Sequence, residues 1–165
     1  MSSDYEIDVQ NEEAYPVDGA ALAQASALVL AQHEITAGTA LSIVIGSDDE
    51  VRALNALHRG VDSPTDVLSF PADPLPPGVG GDEAPYLGDL VIAFPYAAAQ
   101  AQREGHALAE SLALLVVHGT LHLLGYDHDT PQRRAAMWQA QAAALGALGI
   151  SEAIVPALEQ SDHGH

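Results

Sequence analysis

The chain of 165 residues contains no cysteine. Disulfides, thiolate metal ligands and a cysteine nucleophile are thereby excluded, and the absence suits a reducing compartment. Lysine is also missing. All five basic side chains are arginines, set against 23 Asp and Glu for a formal net charge of −18. A field of that sign keeps a surface solvated and repels nucleic acid at long range. Any positive site must therefore be local. Aromatic residues make up only 5% against a hydrophobic share of 48%, so Ala, Leu and Val must fill most of the core. No apolar run approaches the roughly 20 residues of a membrane span; Leu112 to Val117 is the most apolar stretch. The N-terminus has no basic segment leading into an apolar one, so no signal peptide is expected.

The length suits one domain, expected over residues 1–158, with 159–165 as an acidic, His-containing tail that is disordered. Tyr5, Ile7 and Val9 alternate with polar residues and predict a first strand. Asp18 caps a predicted helix that runs to about Glu34. Leu41 to Ile45 reads as a strand. Ser47 and Glu50 form a capping-box pattern that opens a helix with Val51, Leu54 and Leu57 on one face, ended by Gly60. Val67 to Phe70 is a short strand stopped by Pro71, and the Pro/Gly/Asp-rich residues 72–85 read as an exposed loop. Leu87 to Phe94 is a fourth strand. Pro95 opens a helix to about Glu104. Leu108 to Leu124 is a long apolar helix stopped by Gly125, and Thr130 and Pro131 start a last helix ending near Leu148. Strands come early and helices late. That order predicts an α+β fold, a small mixed sheet of about four strands covered by helices, rather than a parallel doubly wound sheet.

The chemistry is concentrated in H-G-T-L-H-L-L-G-Y-D-H, residues 118–128. His118 and His122 are i and i+4 on the predicted helix, so both imidazoles reach one ion from one face. Gly125 allows the chain to leave the helix with positive φ and turn back. His128 is then placed to supply a third nitrogen. Three histidines leave a tetrahedral zinc one open position, the catalytic arrangement, at which the pKa of bound water falls toward about 7. The same spacing occurs in metzincin proteases, which carry Glu directly after the first His. Here that position is Gly119, which disfavours a peptidase. Asp127 and Asp129 flank His128 and are candidates to orient an imidazole or offset charge. Tyr126 is expected to pack against the site. His58, His106, His163 and His165 are not expected to be ligands; His106 is expected to cap or pack near a helix start. Arg59, beside Gly60, is suited to phosphate, although a cation at a helix C-terminus is also favoured by the dipole alone. Thr65 or Asp66 is expected to fix backbone amides ahead of the third strand.

LNALHRGVDSPTDVLSFP (54–71), LGDLVIAF (87–94), the Gly-His pair at 105 and 106, and VHGTLHLLGYDH (117–128) together resemble the YbeY endoribonucleases, the rRNA maturation factors. The likeness covers most of the chain from about residue 41 to 140. It implies a zincin-like α+β fold, one zinc ion on His118, His122 and His128, and endoribonuclease activity on single-stranded RNA. It further implies processing of the 3′ end of 16S rRNA and ribosome quality control in the bacterial cytoplasm. Among the implied partners are rRNA, small-subunit ribosomal proteins and the GTPase Era, with no membrane and no DNA. By the same resemblance Arg59 is the arginine of the active-site cleft, and His118 and Arg59 are the expected catalytic residues. Two other readings stay open on the residues: a metal-dependent hydrolase of another ester or amide, and a ribosome-assembly factor with structural zinc.

Overall fold

A computed structural model describes residues 4–62, 65–72 and 85–151, with Arg59 described in its backbone alone. The chain runs β1 (Glu6–Gln10), α1 (Gly19–Gln32), β2 (Ala40–Gly46), α2 (Asp48–Arg59), β3 (Val67–Pro71), β4 (Tyr86–Ala93), α3 (Phe94–Glu104), α4 (Leu108–Leu123) and α5 (Pro131–Leu148). The expected elements are all present, with ends shifted by a residue or two. Phe94 differs: it opens α3 rather than closing β4, because Pro95 at the start of that helix suits the first turn and cannot continue a strand ladder. The expected loop over 72–85 and the expected tail fall largely outside the described residues.

The sheet order is β1-β2-β4-β3. β1, β2 and β4 run parallel, and β3 pairs antiparallel with β4 at the edge. The sheet is therefore mixed, as expected of α+β. Alternation along the strands divides the core. Leu41, Ile43, Ile45, Leu90, Ile92 and Val67 face a large cluster with α1, α4 and α5. Leu68, Val91 and Ala93 face the other way and pack with Val51 of α2. Period-two patterning on strands buried on both faces explains why they read as nearly continuous apolar runs.

Local chemistry sets the helix ends. Asp18 accepts from Ala21 N at the start of α1. Ser47 and Glu50 form the reciprocal capping box of α2, and Thr130 accepts from Arg133 N at the start of α5. Asp66 is fully buried and its Oδ1 accepts from Val67 N at 2.8 Å, which launches β3 as expected. Gly88 has φ +140°, and a Cβ there would lie 2.2 Å from the Phe70 carbonyl oxygen. Only glycine lets β4 pass the end of β3 so closely.

α4 is the central helix. It lies on the sheet between α1 and α5, and every residue from Leu114 to Leu123 is buried. Each fully buried Leu or Val contributes about 1.5–3 kcal/mol of transfer free energy, so this apolar helix is held by packing rather than by caps; its N-cap, Ala107, makes no side-chain bond. A polar cross-link to α1 is internal, Ser26 Oγ to Thr120 Oγ1 at 2.9 Å, and both groups are fully buried. At Gly119 the helix comes so near β4 that a Cβ would sit 2.7 Å from Leu90 Cδ2. Among the described residues no single helix is long and apolar enough to cross a membrane.

Candidate metal centre

α4 ends by a glycine turn. Gly125 takes φ +104°. Its N–H donates to the His122 carbonyl at 3.0 Å, and Tyr126 N–H donates to the Leu121 carbonyl at 3.0 Å. This paired closure satisfies the last helical carbonyls and reverses the chain. It also puts the Tyr126 carbonyl against the imidazole of His122, where Nδ1 lies 2.9 Å from the oxygen. A carbonyl only accepts, so His122 Nδ1 carries the proton and Nε2 carries a lone pair.

His118, fully buried, reaches the same arrangement through another helix. Its Nδ1 is 3.0 Å from Oε1 of Gln141 on α5, itself fully buried. His118 Nε2 and His122 Nε2 then face each other at 3.1 Å. With both Nδ1 atoms donating, two lone pairs confront one another in a buried place, which is unfavourable without a cation between them. For imidazole ligands at about 2.0–2.1 Å in tetrahedral geometry, neighbouring nitrogens stand about 3.3 Å apart. The observed separation is close to that. His128 completes the group: the ligand-type atoms of His118, His122 and His128 all lie within 4.8 Å of one another. The residues thus fit a divalent ion, by donor chemistry and by spacing.

Asp127 acts on the backbone rather than on a ring, since its Oδ1 accepts from His128 N at 2.7 Å and fixes the turn that carries the third imidazole. Asp129 pairs with Arg133 at 3.4 Å. Tyr126 packs against the core and bonds through its hydroxyl to His33 Nε2 at 2.9 Å, tying the turn to α1. Trp138 walls the site, its ring edge-on to His118 at 5.9 Å and to His128 at 5.8 Å.

His58 is exposed and meets the edge of Phe70 at 4.9 Å. His106 does not cap α4; it lines a cavity of about 10 Å³ with Asp66, Gln100 and Leu114. Neither belongs to the triad. His163 and His165 lie outside the described residues, as does the side chain of Arg59, whose backbone closes α2. Gln141 and Trp138 were not singled out from sequence. Each lies on α5, and no local pattern marks which side of that helix meets His118.

An α+β scaffold with two imidazoles from a buried helix and a third from the turn after it is that of a zincin-like fold with a group able to hold a metal ion. The sequence profile described as "Endoribonuclease YbeY" matches residues 6–149. Curated relatives include Endoribonuclease YbeY of Roseiflexus castenholzii, 44% identical over 149 residues, which are 88% of this chain and 94% of that protein. The protein of the same name from Chloroflexus aurantiacus is 45% identical over 134 residues, 80% of this chain and 87% of that one. The solution structure of TM1509 from Thermotoga maritima shares the fold with a TM-score of 0.53 at 23% identity, covering 98% of this chain and 99% of the other. The chain belongs to the YbeY endoribonuclease family, and so to the hydrolytic nucleases.

Proposed function

We propose that this protein is a zinc-dependent endoribonuclease of single-stranded RNA, acting in maturation of the 3′ end of 16S rRNA and in ribosome quality control in the cytoplasm. His118, His122 and His128 are its metal ligands. The observation that carries the reading is the pair of imidazoles whose Nδ1 atoms are committed to Gln141 and to the Tyr126 carbonyl, leaving both Nε2 atoms aimed at one point. Family membership supplies the RNA substrate. Small-subunit ribosomal proteins and the GTPase Era are the proposed partners; the net charge of −18 suits contact with basic ribosomal proteins.

Bound there, zinc supplies Lewis acidity and positive charge for phosphodiester hydrolysis. The protein's own groups do the rest. Gln141 and the Tyr126 carbonyl hold the imidazoles in one tautomer, and the Asp127 carboxylate holds the His128 backbone. Trp138 packs edge-on against two of the rings and limits their tilt. Arg59 steadies the charge developing on phosphate. Gly119 offers no general base, and its Cβ position faces Leu90 of the sheet, so the glutamate of the peptidase template has no room there.

The test is cleavage of a single-stranded RNA carrying the 3′ end of 16S rRNA. Zinc-loaded protein is expected to cut it, chelated protein to leave it whole, and Arg59→Glu to lose cleavage while keeping the metal. Intact RNA in the presence of fully loaded protein would refute the activity.

A further inference from the structure

We propose that Arg133 is a second phosphate-holding residue of the RNA site, gripping the backbone of the strand beside the metal centre. The proposal rests on the ribonuclease reading above. Its observation is a groove of about 220 Å³ lined by Ser69, Pro71, His122, Tyr126, Asp127 and Arg133. One wall is the edge strand β3, another is a proposed metal ligand, and among the described residues the cationic group on its lining is the Arg133 guanidinium. His122 belongs both to this groove and to the imidazole group, so a strand held at the three imidazoles has the groove directly beside it.

The placement of Arg133 runs against local preference. It is the third residue of α5, followed by Arg134, and no acidic residue lies in that first turn. Cations near a helix N-terminus are disfavoured by the dipole, by about 0.3–1 kcal/mol each. The chain has 23 carboxylates to use at helix starts and puts Asp48, Asp49 and Glu50 in the first turn of α2. At α5 it sets two of its five arginines instead. They divide in role: Arg134 lies over the Trp138 ring at 5.3 Å, whereas Arg133 turns to the groove. A local rule broken beside a site is what a functional demand produces.

Arg133 is also available. Its partner in the ion pair, Asp129, lies at 3.4 Å, and the two side chains are 63% and 52% exposed. Exposed pairs of this kind contribute about 0–1 kcal/mol, less than a charge-assisted bond to phosphate. The contrast is Arg52, which donates through Nε and Nη2 to both oxygens of Asp62. Asp127 also faces the groove, but its Oδ1 accepts from the His128 N–H. A mobile guanidinium that exchanges Asp129 for a phosphate gives an acidic protein a local grip on RNA without a basic surface.

The experiment measures binding and cleavage of a fluorescein-labelled single-stranded RNA by the zinc-loaded full chain over a range of salt. Arg133→Ala is expected to raise KM and Kd about ten-fold, the loss of one charge-assisted contact, with kcat within about two-fold. The slope of log K against log salt is expected to fall by about 0.7. Arg133→Lys restores part of the affinity. Asp129→Asn, which frees the guanidinium, leaves affinity unchanged or raises it. Arg103→Ala, on α3 and away from the groove, changes nothing. If wild type binds or cleaves and Arg133→Ala leaves KM, Kd and the salt slope unchanged, the assignment of Arg133 is overturned while the ribonuclease reading stands. If Asp129→Asn and Arg133→Ala weaken binding equally, the ion pair merely holds the turn, and the assignment is again overturned. A wild type that neither binds nor cleaves RNA overturns both.

Discussion

Gln141 offers the sharpest test of how the centre is built. Its Oε1 accepts from His118 Nδ1 at 3.0 Å, while its amide nitrogen is buried without a hydrogen-bond partner among the described residues. Consider Gln141→Leu, which keeps the volume and removes the polar group. The buried amide nitrogen disappears, a relief of about 1–3 kcal/mol, and the buried His118 Nδ1 loses its Gln141 partner, a penalty of about the same size. The two offset, so the metal-free protein should change little in Tm. The tautomer should not stay put. Freed from Gln141, the His118 proton moves to Nε2 and donates to His122 Nε2, which already stands at 3.1 Å. That bond exists only without metal, so it competes with the ion. Metal affinity is expected to fall about 10–100-fold, the usual effect of removing a group that orients a ligand, or about 1.4–2.7 kcal/mol. Titration against a chromophoric chelator reads the affinity, and long-range proton–nitrogen NMR reads the tautomer. Gln141→Glu keeps the acceptor and should keep the Nδ1–H form. Affinity within about two-fold of wild type, with the tautomer unmoved, would refute the reasoning.

Two further predictions concern the scaffold. Gly119→Ala drives a Cβ to 2.7 Å from the buried Leu90 and should lower stability by about 1–3 kcal/mol in urea unfolding; adding Leu90→Ala should cost less than the sum of the two single changes, and strict additivity would deny the close approach. The Arg52 guanidinium bonded to Asp62 holds that carboxyl below the usual carboxylate range. A folded-state pKa below the unfolded one adds stability that is present above the unfolded value near about 4 and is lost as pH falls through the folded value. Arg52→Ala should move the Asp62 carboxyl titration upward by carbon-13 NMR and remove that acid-side contribution; an unmoved titration would deny the pair in solution.

What could be read from the sequence is what depends on neighbours along the chain. The i, i+4 spacing puts His118 and His122 on one face wherever that helix lies. The positive φ of Gly125, the Ser47 to Glu50 box and the Thr130 cap are likewise settled within a turn of chain. β-strand alternation separates the two faces of β2 and β4. These features made the α+β architecture and the candidate triad legible, and the family motifs supplied the RNA.

Tertiary structure decided whatever requires two distant segments to meet. Gln141 finds His118 from 23 positions away, and Ser26 finds Thr120 from 94. Neither pairing has a local signal, because which face of α5 or α1 meets α4 follows from how the whole apolar core packs. Tyr126 shows the division within one residue: its carbonyl role follows from the glycine turn, but its hydroxyl bond to His33 depends on where α1 ends. Gly119 reads in sequence only as a missing glutamate; the fold shows that Leu90 occupies the place a side chain would need. The three histidines are therefore a property of the sequence. The orientation that aims two of them at one point, and the groove that Arg133 overlooks, come from packing α4 against both the sheet and α5, since only that packing brings the acceptor, the wall and the guanidinium to the same place.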